Sequence, residues 1–152
     1  LVHRVLRLGA GERITQTIPA ERILPAVGQG ALGIEVRDHD AEVIDLVKPL
    51  NNEATMISTN GERALLGVLE GGCQVPIGAY GRIEKGRFLL DGMIGSLDGK
   101  NIVRGAIHGE PPDSVALGAR LANTLLASGG KEVLDRVRNP DLEPDFEKVP
   151  DA

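Results

Sequence analysis

The chain has 152 residues, enough for one domain that buries roughly 68–70% of the surface its unfolded form exposes. Hydrophobic residues make up 41%, yet Tyr80, Phe88 and Phe146 are the only aromatics, so a core must be aliphatic and base stacking is excluded as a main binding mode. A net charge of −5 argues further against nucleic acid, the single Cys73 excludes an internal disulfide framework, and no apolar run is long enough to cross a bilayer; a cytoplasmic protein with no membrane role is the expectation.

Residues 1–8 (LVHRVLRL) read as the end of an element whose partner is absent; the chain opens on Leu1 without a capped beginning, and residues are expected upstream. Pro19 to Pro25 brackets a connecting segment containing Ile23 and Leu24. In the following AVGQGALGIEVR, Ala31 to Val36 is apolar and partly β-branched, which predicts a buried strand. Asp38 or Asp40 can cap a helix reaching about Leu50, with Val43, Ile44 and Val47 on one face and Pro49 at its end. A second helix is predicted from about Asn52 to Glu70, because Ile57, Ala64, Leu65, Val68 and Leu69 follow the helical period. Gly61 and Gly67 weaken it by up to about 1 kcal/mol each, Gly71-Gly72 ends it, and Cys73 follows at once.

From Gln74 the apolar period becomes two: Val75, Ile77 and Ala79 alternate with Pro76, Gly78 and Tyr80. Turns at Glu84-Lys85-Gly86 and Asp98-Gly99 separate runs at about 75–83, 87–95 and 101–108, predicting a three-stranded antiparallel meander with one face needing cover. That cover is a helix from Asp113, as cap, to Ser128, with Leu117, Leu121 and Leu125 every four residues and Gly129-Gly130 closing it. A shorter helix at about Lys131 to Arg138 adds Val133, Leu134 and Val137. The fold class is therefore α+β over 53–138. Beyond it, 139–152 carries five acids, one base and three prolines, a solvated or disordered tail of net −4 that leaves the body almost neutral.

Chemistry concentrates in ERALLGVLEGGCQVPIGAYG, Glu62 to Gly81, where a lone cysteine stands between a helix-ending diglycine and a strand. Glycines remove bulk around the sulfur, so a large group could be attached there. Read by itself, a lone cysteine such as Cys73 is more often a small buried hydrophobe. This segment, together with PAVGQGALGIEVR (Pro25 to Arg37), resembles two signature stretches of the hydroxymethylbilane synthase (porphobilinogen deaminase) family, and the likeness runs from the first residues to about Arg138.

The resemblance implies a transferase that condenses four porphobilinogen units, with loss of ammonia, into linear 1-hydroxymethylbilane for tetrapyrrole and haem biosynthesis, and that acts as a monomer at full length. It implies a covalent dipyrromethane cofactor held by a thioether to Cys73. An ordinary thiol is only a few per cent thiolate at neutral pH, which suffices for one bond to a reactive azafulvene-type electrophile. His3, His39 and His108 read as ordinary histidines, and no metal site is expected. Each pyrrole carries an acetate and a propionate, which arginine's planar fork suits, and arginine outnumbers lysine twelve to five. Family likeness places Arg7 among the carboxylate ligands and puts Gln29 and Gly30 at the crossing between the first two domains, near the cofactor. Arg13 reads as a surface or interdomain ion-pair residue.

In domain terms the resemblance implies remnants of two periplasmic-binding-protein-like α/β domains, 1–24 ending the second and 25–50 forming a hinge and return to the first, then a cofactor-attachment domain at 53–138. His3-Arg4-Val5 depart from the family's more common Ala-Gly-Leu. The family's catalytic aspartate, its companion lysine and most of its carboxylate-binding arginines have no counterpart, so no catalytic residue is expected here and the chain alone should behave as a catalytically silent cofactor-arm domain. Gly28-Gln-Gly30-Ala-Leu-Gly33 also satisfies G-x-G-x-x-G, with Glu53 twenty residues beyond Gly33. A dinucleotide site needs a strand before the motif and a helix after it, whereas Pro25 and a strand-like sequence occupy those places.

Overall fold

The computed structural model describes residues 2–70 and 75–139. The expectations for Cys73, for the Gly71-Gly72 helix end and for the acidic tail beyond Asn139 lie outside the described residues.

Helix α1, Val2–Arg7, is followed by a 3-10 turn at Gly11–Arg13, and neither buries a residue. A turn at Pro19 leads into the connector, where the N–H groups of Arg22 and Ile23 donate to the Pro19 carbonyl at 3.0 and 3.3 Å. Helix α2, Ala41–Val47, is capped by Asp40, which accepts from Val43 N–H; Lys48–Leu50 continues it as a 3-10 turn containing Pro49. The buried strand expected over Ala31 to Val36 does not form. The segment has no regular secondary structure, with Leu32 92% and Ile34 55% exposed. Its apolar pattern asks for ladder partners, and no neighbouring strand among the described residues supplies them.

Helix α3, Glu53–Leu69, starts at Asn52, whose side chain accepts from Thr55 N–H, and ends at Glu70 in the left-handed region (φ 49). Three strands follow, β1 Ile77–Glu84, β2 Arg87–Gly95 and β3 Ile102–Gly109, antiparallel in the order β1-β2-β3. Lys85 (φ 50) and Gly86 (φ 78) form the first turn with Glu84 opposite Arg87, the two-residue geometry whose twist matches that of the strands. In the second turn Asp98 accepts from the Ser96 hydroxyl and from Lys100 N–H, and these bonds, the hydroxyl's first, hold its carboxyl below the ordinary aspartate value.

Helix α4, Ser114–Leu125, follows a Pro111–Asp113 3-10 turn; Asp113 occupies the cap position but its side chain makes no capping hydrogen bond, so the preceding Pro-Pro turn and not a carboxylate sets the helix start. At Ser128 and Gly129 (φ 100) the chain kinks out of helical geometry and re-enters it as α5, Lys131–Arg138. Phe88, Leu90 and Ile94 on β2 face inward, and α3 and α4 lie over that side of the sheet. Leu65 and Leu69 of α3, Leu117, Leu121 and Leu125 of α4 and Leu134 of α5 complete the core, which is aliphatic apart from the fully buried Phe88. No helix of the described residues is long and apolar enough to cross a membrane.

Candidate functional site

In an antiparallel pair, alternate N–H groups of an edge strand point away from its partner and need acceptors. On β1 the Ala79 N–H donates to the Pro25 carbonyl at 2.9 Å, so the connector lies along this edge. Leu24 fills the space above Gly78, where a Cβ would come within 2.9 Å of the Leu24 Cβ. From β3, the Arg104 guanidinium donates to the carbonyls of Glu21 and Arg22 at 3.2 and 3.1 Å. Residues 21–25 are thus fastened to the sheet by three separate contacts.

The next outward donor of β1, Gly81 N–H, meets the Glu62 carboxylate at 2.7 Å, and the other oxygen of that carboxylate accepts from Gly28 N–H at 2.6 Å. Glu62 is only 6% exposed. Burial pushes its carboxyl above the ordinary glutamate value, opposed by the bonds from Gly81 and then Gly28, which favour the ionised form.

Beside this carboxylate an open cleft of about 370 Å³ is lined by Gln29, Gly30, Glu62, Tyr80 and Arg82 among others. Arg82 is held by ion pairs to Asp91 and to Glu84, the latter at 2.6 Å, and its guanidinium lies 5.2 Å from the Tyr80 ring centre. A second cleft of about 590 Å³, bounded by 31–34, the end of α2 and the outer face of α3, presents Arg63, Asn60 and Lys48.

Gln29 and Gly30 therefore come together with Glu62 in one cleft. The Gln29 side chain folds back on its own turn, its Oε1 accepting from Ala26 N–H at 3.3 Å, while Gly30 (φ 94) uses a conformation that favours glycine. Arg7, exposed in the last turn of α1, lines neither cleft and makes no ion pair among the described residues; the same holds for the ion-pairing of Arg13. Among the described residues no strand precedes Gly28 and no helix begins after Gly33 until Ala41, so they do not show the dinucleotide-binding geometry. No group of three or more potential metal ligands occurs among the described residues.

Sequence reasoning passed over Glu62 and Arg82. The signal for Glu62 was available: Ser58, Glu62, Leu65 and Leu69 fall at intervals of four, three and four, which sets one acid on the buried stripe of α3. Arg82 carried no comparable signal, since its partners are placed only by strand register.

Residues 4–45 match the family model described as porphobilinogen deaminase, dipyromethane cofactor binding domain, and residues 56–127 match porphobilinogen deaminase, C-terminal domain. The chain is 46% identical over 134 residues to the porphobilinogen deaminase of Pelotomaculum thermopropionicum, covering 88% of this chain and 43% of that protein. It is 48% identical over 134 residues to that of Desulforudis audaxviator, with the same coverage. With that of Synechococcus elongatus it shares 50% identity over 131 residues, 86% of this chain and 41% of the relative. The chain thus spans well under half the length of these curated relatives.

Proposed function

Because the chain belongs to the porphobilinogen deaminase family, we propose that it is the C-terminal portion of a hydroxymethylbilane synthase, a transferase that joins four porphobilinogen units with loss of ammonia into linear 1-hydroxymethylbilane. The observation that carries this reading is the ordered match of two family domains, 4–45 and 56–127, on one chain. Its division of labour assigns 1–24 to the end of the second α/β domain, 25–50 to the hinge and return to the first, 53–138 to cofactor attachment, and 139–152 to an acidic tail. The full-length protein would be a cytoplasmic monomer working on porphobilinogen and the growing oligopyrrole.

The dipyrromethane cofactor, when bound through the sulfur of Cys73, supplies the primer from which the product chain is extended. Around it, this chain's residues bind and orient. Arg7, an exposed guanidinium without an acidic partner among the described residues, suits the acetate and propionate side chains. Gln29 and Gly30 line a cleft beside a glycine-rich turn whose backbone leaves room for a flat ring system. Arg82, already paired with Asp91 and Glu84, is a poor substitute for Arg7 as a carboxylate ligand.

The test is intact mass with the colour reaction for pyrroles on the full-length protein and on its Cys73→Ser variant. The parent should carry the mass of two pyrrole units and colour, and the variant neither. An adduct that survives Cys73→Ser would sink the assignment.

A further inference from the structure

The carboxylate of Glu62 bridges two backbone amides at once. It has two acceptor oxygens and no donor, and each oxygen receives one backbone N–H, from Gly28 and from Gly81, at 2.6 and 2.7 Å. One group thereby joins three elements distant in sequence: α3, the outer edge of β1, and the turn carrying Gln29 and Gly30. The approach is built into the packing, since a Cβ on Gly81 would lie 2.8 Å from the Ser58 carbonyl oxygen, one helical turn before Glu62. β1 can press that closely on α3 only because Gly81 has no side chain.

We propose that Glu62 is the positioning residue of the Gln29–Gly30 turn: its carboxylate, shared between the Gly28 and Gly81 N–H groups, sets the register of that turn against β1 and with it one wall of the cleft. The cofactor-facing part of this inference rests on the family reading that puts Gln29 and Gly30 beside the pyrroles; the clamp itself rests on the hydrogen bonds. Few charges compete for the carboxylate. Residues 25–31 carry no ionisable side chain, α4 meets α3 through Gly118 against Gly61, and on β1 the groups lining the same cleft are Tyr80 and Arg82, the latter engaged by Asp91 and Glu84.

Glutamine in place of Glu62 keeps the shape but turns one acceptor into a donor, so it can serve only one of the two amides. Amide exchange on the 152-residue chain should show one of the two amides, Gly28 or Gly81, losing protection by about ten- to a hundredfold in Glu62→Gln, the worth of a hydrogen bond to a charged group, with Leu121 and Ala122 of the core unchanged. Protection retained at both Gly28 and Gly81 would overturn the clamp. Should the variant fail to fold, the parent chain decides: in a pH titration followed by NMR, the Gly28 and Gly81 amide protons should move with one midpoint, that of the Glu62 carboxyl, and separate midpoints overturn the proposal.

In the full-length protein, Glu62→Gln should keep the Cys73-dependent mass but alter the absorption of the bound pyrroles. An unaltered spectrum with either amide released would cut the clamp off from the cofactor wall. Absence of any Cys73-dependent mass in the parent would instead strike the family reading and leave the clamp standing.

Discussion

Glu62 shows how one buried charge is tolerated. Desolvation penalises the carboxylate, two short bonds from backbone N–H groups offset part of that penalty, and burial wins, so the carboxyl is easier to protonate in the folded chain than in the unfolded one. The folded state therefore binds a proton preferentially in the window between the ordinary glutamate value and the raised one. Stability from this residue is greatest below that window, falls as pH rises through it, and is lowest above it. The difference in urea midpoint between the parent chain and Glu62→Gln should accordingly fall from about pH 4 to pH 7. A flat or rising difference would mean that the two hydrogen bonds outweigh burial.

At the scale of elements, α3 and α4 cross at a point where backbones nearly touch. A Cβ on Gly118 would stand 2.1 Å from the Gly61 carbonyl oxygen, and one on Gly61 would strike the Phe88 ring at 2.4 Å. Gly61 weakens α3 as an isolated helix but permits the crossing that covers the sheet, so tertiary contact overrides propensity. Gly67 lies on the exposed side of the same helix with nothing near its missing Cβ. Gly118→Ala should then cost about 3 kcal/mol or more through overpacking, whereas Gly67→Ala should add up to about 1 kcal/mol; urea unfolding of both variants measures the contrast. The meander was legible because Lys85-Gly86 and Asp98-Gly99 mark turns between alternating runs, and the observed strands fall within two residues of the expected ones. Ala31 to Val36 was misread because period and composition describe what a strand would bury and say nothing of whether a partner strand stands beside it.

For the molecule as a whole, every buried side chain among the described residues belongs to residues 58–134, and the described residues up to 52 bury none. The helix-covered sheet has a complete core, while α1, α2 and the unpaired 31–37 segment have none of their own. Glu62, the one buried acid among the described residues, is committed to two backbone amides. Purified residues 1–152 are therefore expected not to consume porphobilinogen in a standard turnover assay, the behaviour of a silent cofactor-arm domain; measurable turnover would refute this.

Local signals in the sequence determined the α+β order of 53–138, both hairpin turns, the start of α3 near Asn52 and the likeness to porphobilinogen deaminases, because period, turn residues and long ordered motifs each act over a few neighbouring residues; the choice of Asp40 over Asp38 as the α2 cap came from the structure. Tertiary structure alone decided that residues 21–28 are fastened to the sheet, by Arg104, Pro25 and Glu62, and that Gln29 and Gly30 share a cleft with a buried carboxylate. Those contacts join residues 34 to 83 positions apart, and their energy depends on burial and hydrogen-bond geometry that exist only once helices and strands have packed.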